Sequence, residues 1–504
     1  MGIFNDLIMG FGVALSPVNL FFCFVGVVAG TLVGVLPGIG PTAAIALLLP
    51  TTFKVPPESS LIMLCGILYG AMYGGSTTSI LVNIPGESAS IITCLDGYQM
   101  ARKGRAGVAL GIAAIGSFIA GTVSTALLMF VSKPLSAVAL KFSFPEYFAI
   151  MVTGLVTVTY MARYSVLKAL IMACFGLLIG SVGLDMISGL PRFTFGINEL
   201  SDGVGVIPLL MGTFGIAEVL ENIERELPRP AVFKTKLRNL WPSLKDWAES
   251  KGAILRGTML GFFVGILPGA SGTIATFLSY SFEKKVSRHP EKFGTGAIEG
   301  VAGPESANNA SCAGGLVPLL SFGIPPNATM ALLFAALVIH GIQPSPAFIS
   351  QHPRVFWGLV ASMYVGNVML LILNLPMIGI WVQVLKIRYQ YLFPLIVLFC
   401  IVGTFSVAAS TFDLKLLVLF GILGYFARKF GYEIAPLILA YVLGPLMEQA
   451  LRQSLLISGG SFRIFVTRPI AAVTLGIALA LLASTASSYI RMRRKRLARL
   501  EEES

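Results

Sequence analysis

Two distant stretches, GVVAGTLVGVLPGIGPTAAIAL at 26–47 and GTMLGFFVGILPGASGTIATFL at 257–278, carry one helix-breaking signal inside apolar sequence, with ten identities in 22 positions. Each has a glycine every fourth residue: Gly26, Gly30, Gly34 and Gly38, then Gly257, Gly261, Gly265 and Gly269. Leu-Pro-Gly stands at the last step, and a threonine follows, Thr42 or Thr273. Glycines four apart leave one bare stripe on a helix, along which a second helix can come close. Proline and glycine then end that helix. An unpaired peptide group in hydrocarbon is costly, so a helix broken within a membrane survives only where protein or a water-filled cavity surrounds the break.

The surroundings read as membrane. Of 504 residues 55% are hydrophobic and 12% charged, and the mean hydropathy is +0.83, which places the chain among polytopic membrane proteins. The net charge of +12 does not mark a nucleic-acid binder. The basic residues gather between apolar runs: Arg102, Lys103 and Arg105; Arg163 and Lys168; the 225–256 stretch; and RMRRKRLAR near the C-terminus. That is the pattern of cytoplasmic loops, which also meet anionic lipid. Six cysteines (Cys23, Cys65, Cys94, Cys174, Cys312, Cys400) lie singly in apolar segments and read as small packing residues. The N-terminal segment has no basic n-region and no A-x-A site, so a cleaved signal peptide is not expected.

The two motifs belong to a longer duplication. GGSTTSILVNIPG (74–86) aligns with GGLVPLLSFGIPP (314–326) through Gly-Gly and Ile-Pro, and SVLKALI (165–171) resembles FDLKLLV (412–418), in the same order along the chain. Loop charge orients the halves. Residues 1–17 hold no Lys or Arg, whereas the second motif follows a strongly basic segment, so the first half starts outside and the second inside. Ala253–Pro268 and Ala270–Phe282 are 16 and 13 residues long, each short of the roughly 20 that cross a bilayer. A hairpin that enters, turns at Leu-Pro-Gly and leaves on the same side fits them. The basic EKKVSRHPEK after it agrees with a cytoplasmic exit, and TTFKVPPE after the first motif with an external one.

The expected fold is an all-α polytopic membrane protein of two inverted-topology repeats, each with a re-entrant helical hairpin and a broken helix, and about 11–12 transmembrane crossings. Residues 1–17 form an N-terminal segment, with 1–16 open to being an extra interfacial helix. Repeat 1 covers 18–224 (hairpin 18–50, broken helix 58–101), a cytoplasmic linker 225–252, and repeat 2 253–456 (hairpin 253–283, broken helix 300–340). A last transmembrane helix at 467–490 and a basic cytoplasmic tail at 491–504 complete the chain. The remaining crossings are expected at 106–131, 145–161, 166–184 and 203–222, then 354–385, 390–408, 412–427 and 432–456.

Inverted repeats whose discontinuous helices meet at the midplane are the architecture of secondary transporters, in which helix N-termini face an anionic substrate and free carbonyls hold a coupling cation. Four breaks are expected, at 37–41, 84–86, 268–272 and 324–326. The candidate substrate site comprises Gly38, Gly40 and Thr42; Pro85, Gly86 and Ser88; Gly269, Ser271 and Thr273; and Pro325, Asn327 and Thr329. No Arg or Lys stands in the breaks, so an anion there relies on helix N-termini and hydroxyls. The competing reading gives each hydroxyl to a carbonyl one turn back in its own helix. VAGPESANNASCAGG (301–315) supplies the candidate cation site, Glu305, Asn308, Asn309 and Ser311, with Asn83 from the first half. Its alternative is an interfacial loop before a helix starting near Ser306. Glu87 reads as a dipole cap, Glu448, Gln449 and Arg452 as an intrahelical polar cluster, and His340 as structural.

At GTLVGVLPGIGPT, MYGGSTTSILVNIPGE and GPESANNASCAGGLVPLLSFGIPPNATMALL the chain resembles the large membrane subunit of the tripartite tricarboxylate transporters, over nearly its whole length. GIPPN departs from the pattern, which has a glycine after the first proline, and makes Pro326 a less secure counterpart of Gly86. The resemblance implies a multi-pass protein of a bacterial inner membrane that works with a small membrane subunit and a periplasmic solute-binding protein. It implies import of a di- or tricarboxylate such as citrate with a sodium ion or a proton, and no cofactor or enzymatic step. Moving one charge against 100 mV costs about 2.3 kcal/mol, so a trivalent anion entering a negative interior is opposed by about 7; electroneutral or electropositive symport is expected. An anion channel is the rival, although channels commonly ring a pore with repeated subunits. A membrane enzyme finds no support: the chain has no Walker A, no HExxH, and three histidines, His289, His340 and His352, unpaired at helical spacing.

Overall fold

Long apolar runs without water can satisfy their backbone only as helices, and helices account for nearly all the regular structure. The computed structural model describes residues 2–36, 40–162, 165–185, 188–224, 240–269, 272–385 and 392–484. Pro37, Gly38, Arg163, Ser271, Lys386, Arg388, most of the expected linker and the C-terminal tail lie outside the described residues. Among the described residues six helices are long and apolar enough to cross a membrane: Pro17–Val35, Pro57–Val82, Ala106–Ala139, Val206–Glu224, Pro353–Asn374 and Ile434–Ile457. Among the described residues strand is confined to an antiparallel pair, Gly183–Leu184 with Pro191–Arg192.

The chain forms two compact units that do not follow its two halves. The first takes Met1–Ala139 and Gly205–Phe426, the second Leu140–Val204 and Ala427–Ser504, so each draws on both expected repeats.

Eight helices of the first unit carry the argument: α1 (Pro17–Val35), α2 (Pro41–Leu48), α3 (Pro57–Val82), α4 (Ile91–Arg102), α5 (Leu244–Ile266), α6 (Gly272–Val286), α7 (Glu299–Phe322) and α8 (Ala328–Ile339). The glycine stripes set how they pack. A Cβ added at Gly26, Gly30 or Gly34 of α1 would lie 2.3, 2.3 and 2.2 Å from the carbonyl oxygens of Met63, Ile67 and Ala71 on α3. At Gly257, Gly261 and Gly265 of α5 it would lie 2.3, 2.2 and 2.4 Å from those of Gly303, Ala307 and Ser311 on α7. No side chain fits in such gaps. The helices are therefore held by dispersion and close backbone approach, the means available where both lipid and helix are apolar.

Helices α3 and α7 end alike, on a left-handed residue, Asn83 at φ 60° and Gly323 at φ 72°. Ile-Pro follows, and a second arm of 12 residues, α4 or α8. The break is off-centre: α3 has 26 residues and α7 24. At roughly 1.5 Å per residue α3 alone is about 39 Å long. Both first arms are buried along their length, which is why their alternation of polar and apolar residues shows no lipid face. Helix α5 begins at Leu244, before the expected Ala253, because the Ser243 hydroxyl caps it through the Asp246 N–H at 3.3 Å. Arg105 pairs with the same Asp246.

Helices α5 and α6 are joined by charge, whereas α1 and α2 are not. Arg256 on α5 donates to Glu283 on α6 from Nε at 2.8 Å and Nη2 at 2.5 Å, whereas residues 17–48 hold no charged side chain. In the second unit Phe144–Tyr160 and Val166–Gly180 pack on Ile434–Ile457. Gly176 lets the last two close together, its would-be Cβ standing 2.1 Å from the Leu437 oxygen.

Candidate functional site

The four breaks meet crosswise in the first unit. The hydroxyl of Thr42, at the start of α2, lies 2.7 Å from that of Thr329, at the start of α8. The hydroxyl of Thr273, at the start of α6, donates to Ser88 in the turn before α4 at 3.0 Å. The starts of α2 and α6 thus each touch a break in the other half of the chain. Gly269 N–H also donates to the Pro326 carbonyl at 2.8 Å, joining the third and fourth breaks. Gly34, near the end of α1, touches the second break, since a Cβ on Gly86 would lie 2.0 Å from the Gly34 oxygen. Gly86 can be nothing larger.

Several freed backbone groups are taken up locally. Thr78 donates to the Val35 carbonyl at the end of α1 at 2.7 Å, and Asn327 accepts the Met330 N–H at 3.0 Å as the cap of α8. Gly40 and Pro325 lie at their breaks with no side-chain hydrogen bond, and Pro85 opens the turn leading to Ser88. The hydroxyls of Thr42, Thr329 and Thr273 are engaged across the molecule instead of with a carbonyl one turn back. Gly38 and Ser271 lie outside the described residues.

The expected cation set is divided by the structure. Helix α7 begins at Glu299, so Glu305 is inside a helix and the interfacial-loop alternative does not hold. Glu305 is 1% exposed; it accepts from Ser76 on α3 at 2.5 Å and from Thr93 on α4. Asn309 faces elsewhere, donating to Ser117 at 2.7 Å and to the Glu305 carbonyl at 3.2 Å. A cavity of about 10 Å³, the room of one water, is lined by their partners Ser76 and Ser117 together with Thr77 and Asn374, among others. Asn308 points to Glu87 instead, donating from Nδ2 to Oε1 at 3.0 Å. Ser311 donates to the Asn308 carbonyl at 2.7 Å. Asn83 is exposed and serves as the left-handed end of α3.

Three partners escaped the sequence reading. Ser76 and Thr93 hold Glu305, and buried Asp96 on α4 accepts the N–H groups of Gly294, Gly296 and Ala297 at 2.9, 2.6 and 2.8 Å and the Tyr280 hydroxyl at 2.9 Å. Small hydroxyls in apolar helices carry no sequence signal of a distant carboxylate, and Asp96 lies 198 or more positions from its backbone donors. Glu87 is the cap expected of it, accepting the Ala89 N–H at 2.7 Å, but it also reaches the other half.

The sequence matches the profile of the tripartite tricarboxylate transporter TctA family over residues 20–439. The chain belongs to that family. It is 52% identical over 497 residues, 99% of both chains, to an uncharacterized 52.8 kDa protein of the TAR-I ttuC′ 3′ region in Agrobacterium vitis. A protein of the TAR-II ttuC′ 3′ region of that organism is 50% identical over 219 residues, 44% of this chain and 90% of its own. No solved structure matches. Family membership together with the apolar helices makes the chain a multi-pass membrane protein of a transporter family, the large membrane subunit of a tripartite system.

A larger cavity in the second unit, about 360 Å³, is lined by Asp185, Arg192, Glu448, Gln449 and Arg452 among others. It offers an anion little. Arg452 meets Asp185 at 2.8 Å and Glu448 at 2.6 Å, and Arg192 meets Glu448 at 2.7 Å and Asp185 at 3.4 Å. The charges cancel in pairs. The expected intrahelical cluster is thus also tied to the loop carrying Asp185 and Arg192.

Proposed function

We propose that this subunit imports a di- or tricarboxylate, citrate-like in size and charge, by cation symport across a bacterial inner membrane, with a small membrane subunit and a periplasmic binding protein as partners. The crossed hydroxyl pairs, Thr42 with Thr329 and Thr273 with Ser88, carry the reading. They bring the starts of α2, α6 and α8 and the turn before α4 to two meeting points, where helix N-termini and hydroxyls converge with no Lys or Arg in the breaks. Such a site suits a carboxylate that must be released again: helix N-termini stabilise an anion by tenths of a kcal/mol to about 2 each, less than a buried guanidinium would. The two halves are read as inverted repeats, and their tips as the point where alternating access turns. The substrate ligands in this reading are the residues of the four breaks named above, with a cation held on α7 close by.

Uptake by the reconstituted transporter tests this, with a panel of di- and tricarboxylates, with and without a sodium gradient, at clamped membrane potential. Saturable uptake of one class, driven by a cation gradient and no slower with a negative interior, is expected. Faster uptake with a positive interior sinks electroneutral or electropositive symport, and non-saturating flux without a cation requirement points to a channel.

A further inference from the structure

The second unit holds two cavities that the transport reading does not use. The polar one, about 360 Å³, is lined by Asp185, Arg192, Glu448, Gln449, Arg452 and Gln453, among others. The other, about 240 Å³, is apolar along Phe148, Leu177, Met447 and Leu451, and both have Gly180 and Glu448 in their walls. They therefore adjoin. An apolar groove that runs into a charged chamber has the build of a site for an amphiphile.

Its depth agrees with a lipid. Val166–Gly180 starts beside Lys168 and Ile434–Ile457 follows Arg428 and Lys429, so by loop charge both run outwards, while Phe144–Tyr160, which ends before Arg163, runs inwards. The lining residues gather at the outer side of all three: Phe148 near the start of the inward helix, Leu177 and Gly180 at the end of one outward helix, and Met447 to Gln453 in the second half of the other. Glu448 comes 14 positions after Ile434, about 21 Å along the helix, and Arg452 about 27 Å. The charged chamber thus meets the outer boundary of a hydrocarbon layer roughly 30 Å thick.

The chamber's chemistry selects the head. Two guanidinium groups face two carboxylates, so the lining carries no net charge, and an added anion or cation would be unbalanced. A zwitterion is balanced. Arg192 binds Glu448 through Nη1 and Nη2, which leaves its buried Nε without a partner, and Gln449 and Gln453 make no side-chain hydrogen bond among the described residues. A phosphate oxygen takes such N–H groups. Glu448 accepts twice at Oε1 and once at Oε2, so Oε2 keeps a lone pair for an ammonium. We propose that the two cavities form one site for an outer-leaflet phospholipid with a phosphate and a primary amine in its head, as in phosphatidylethanolamine. An acyl chain lies along Phe148, Leu177 and Met447, the phosphate meets Arg192, and the amine meets Glu448. The site uses no residue of the four breaks, so it stands apart from the carboxylate reading.

The full-length protein, delipidated in detergent, is titrated with phosphatidylethanolamine and followed by native mass spectrometry. Saturation at one tightly held lipid per chain is expected, with phosphatidylglycerol, whose head is anionic and lacks the amine, weaker by about tenfold or more. Arg192→Lys keeps the charge but loses Nε and the guanidinium fork, and Met447→Trp fills the apolar cavity; each should weaken binding by about tenfold or more. Neither citrate nor glycerophosphoethanolamine, which has the head without the chains, should displace the lipid. Absence of a saturable lipid overturns the proposal, as does equal binding of the two headgroups, or undiminished binding in either variant with the wild-type melting curve. Displacement by citrate overturns it too and makes the chamber a carboxylate site. The headgroup preference of the wild type and Arg192→Lys decide the matter even if Met447→Trp does not fold.

Discussion

The second arms of the two broken helices open differently on the same backbone. After α3 the chain passes Gly86 to a carboxylate cap, Glu87; after α7 it passes Pro326 to an amide cap, Asn327. Asn327 satisfies its own helix, through Met330 N–H, whereas Glu87 reaches across to Asn308 in the other half. Asp96, which gathers three backbone N–H groups from the other half, has Ala336 at the matching position of α8. The stripes and left-handed helix ends are shared, since they answer the common need to bring two backbones together and stop a helix. Buried charge is not shared: the arm after α3 carries Glu87 and Asp96, each satisfied by hydrogen bonds, and the arm after α7 carries no carboxylate.

The stripes give the largest way to break this comparison. Gly30→Leu and Gly261→Leu each drive a side chain into a carbonyl of the facing helix, and each should destabilise the protein by about 3 kcal/mol or more. Thermal melting in detergent checks it, and a wide gap between the two variants would mean that the halves do not share their packing. Next come the crossed hydroxyls. Thr42→Ala and Thr273→Ala each remove one hydrogen bond, worth about 1 kcal/mol, and should raise the KM for the carboxylate roughly fivefold. A shift confined to Thr273→Ala would sharpen the comparison by placing the substrate nearer the Glu87 half. The smallest effect belongs to the neutral cap: Asn327→Ala should cost about 1 kcal/mol of stability, read as a small fall in melting temperature. A fall as large as that of Glu87→Ala, which also loses the contact to Asn308, would erase the distinction between the caps.

Much of the scaffold was legible before any coordinates. Glycine spacing and Leu-Pro-Gly announced close helix pairs with broken ends because those residues act through the local backbone, and local backbone chemistry is written in neighbouring positions. The broken helices were legible as such, but their proportions were not. A buried first arm has no lipid face to betray its length, and α3 proved a full-length helix. The polar run on α7 stood out in sequence, yet read as one cluster. On a helix its members point different ways, Glu305 to Ser76 and Thr93, Asn309 to Ser117, Asn308 to Glu87.

Composition and the Pro-Gly motifs by themselves determined that this is a helical membrane protein whose helices stop near residues 36, 83, 267 and 323, because each is a statement about residues near one another in the chain. Only the tertiary structure decided that the interruptions are paired crosswise and that Glu87, not Glu305, is held by the Asn308 amide. Those contacts join residues 185 to 287 positions apart. Their partners are chosen by how helices pack, and the hydroxyls and amides that take part look alike in sequence whether they meet a ligand, a carboxylate or their own helix.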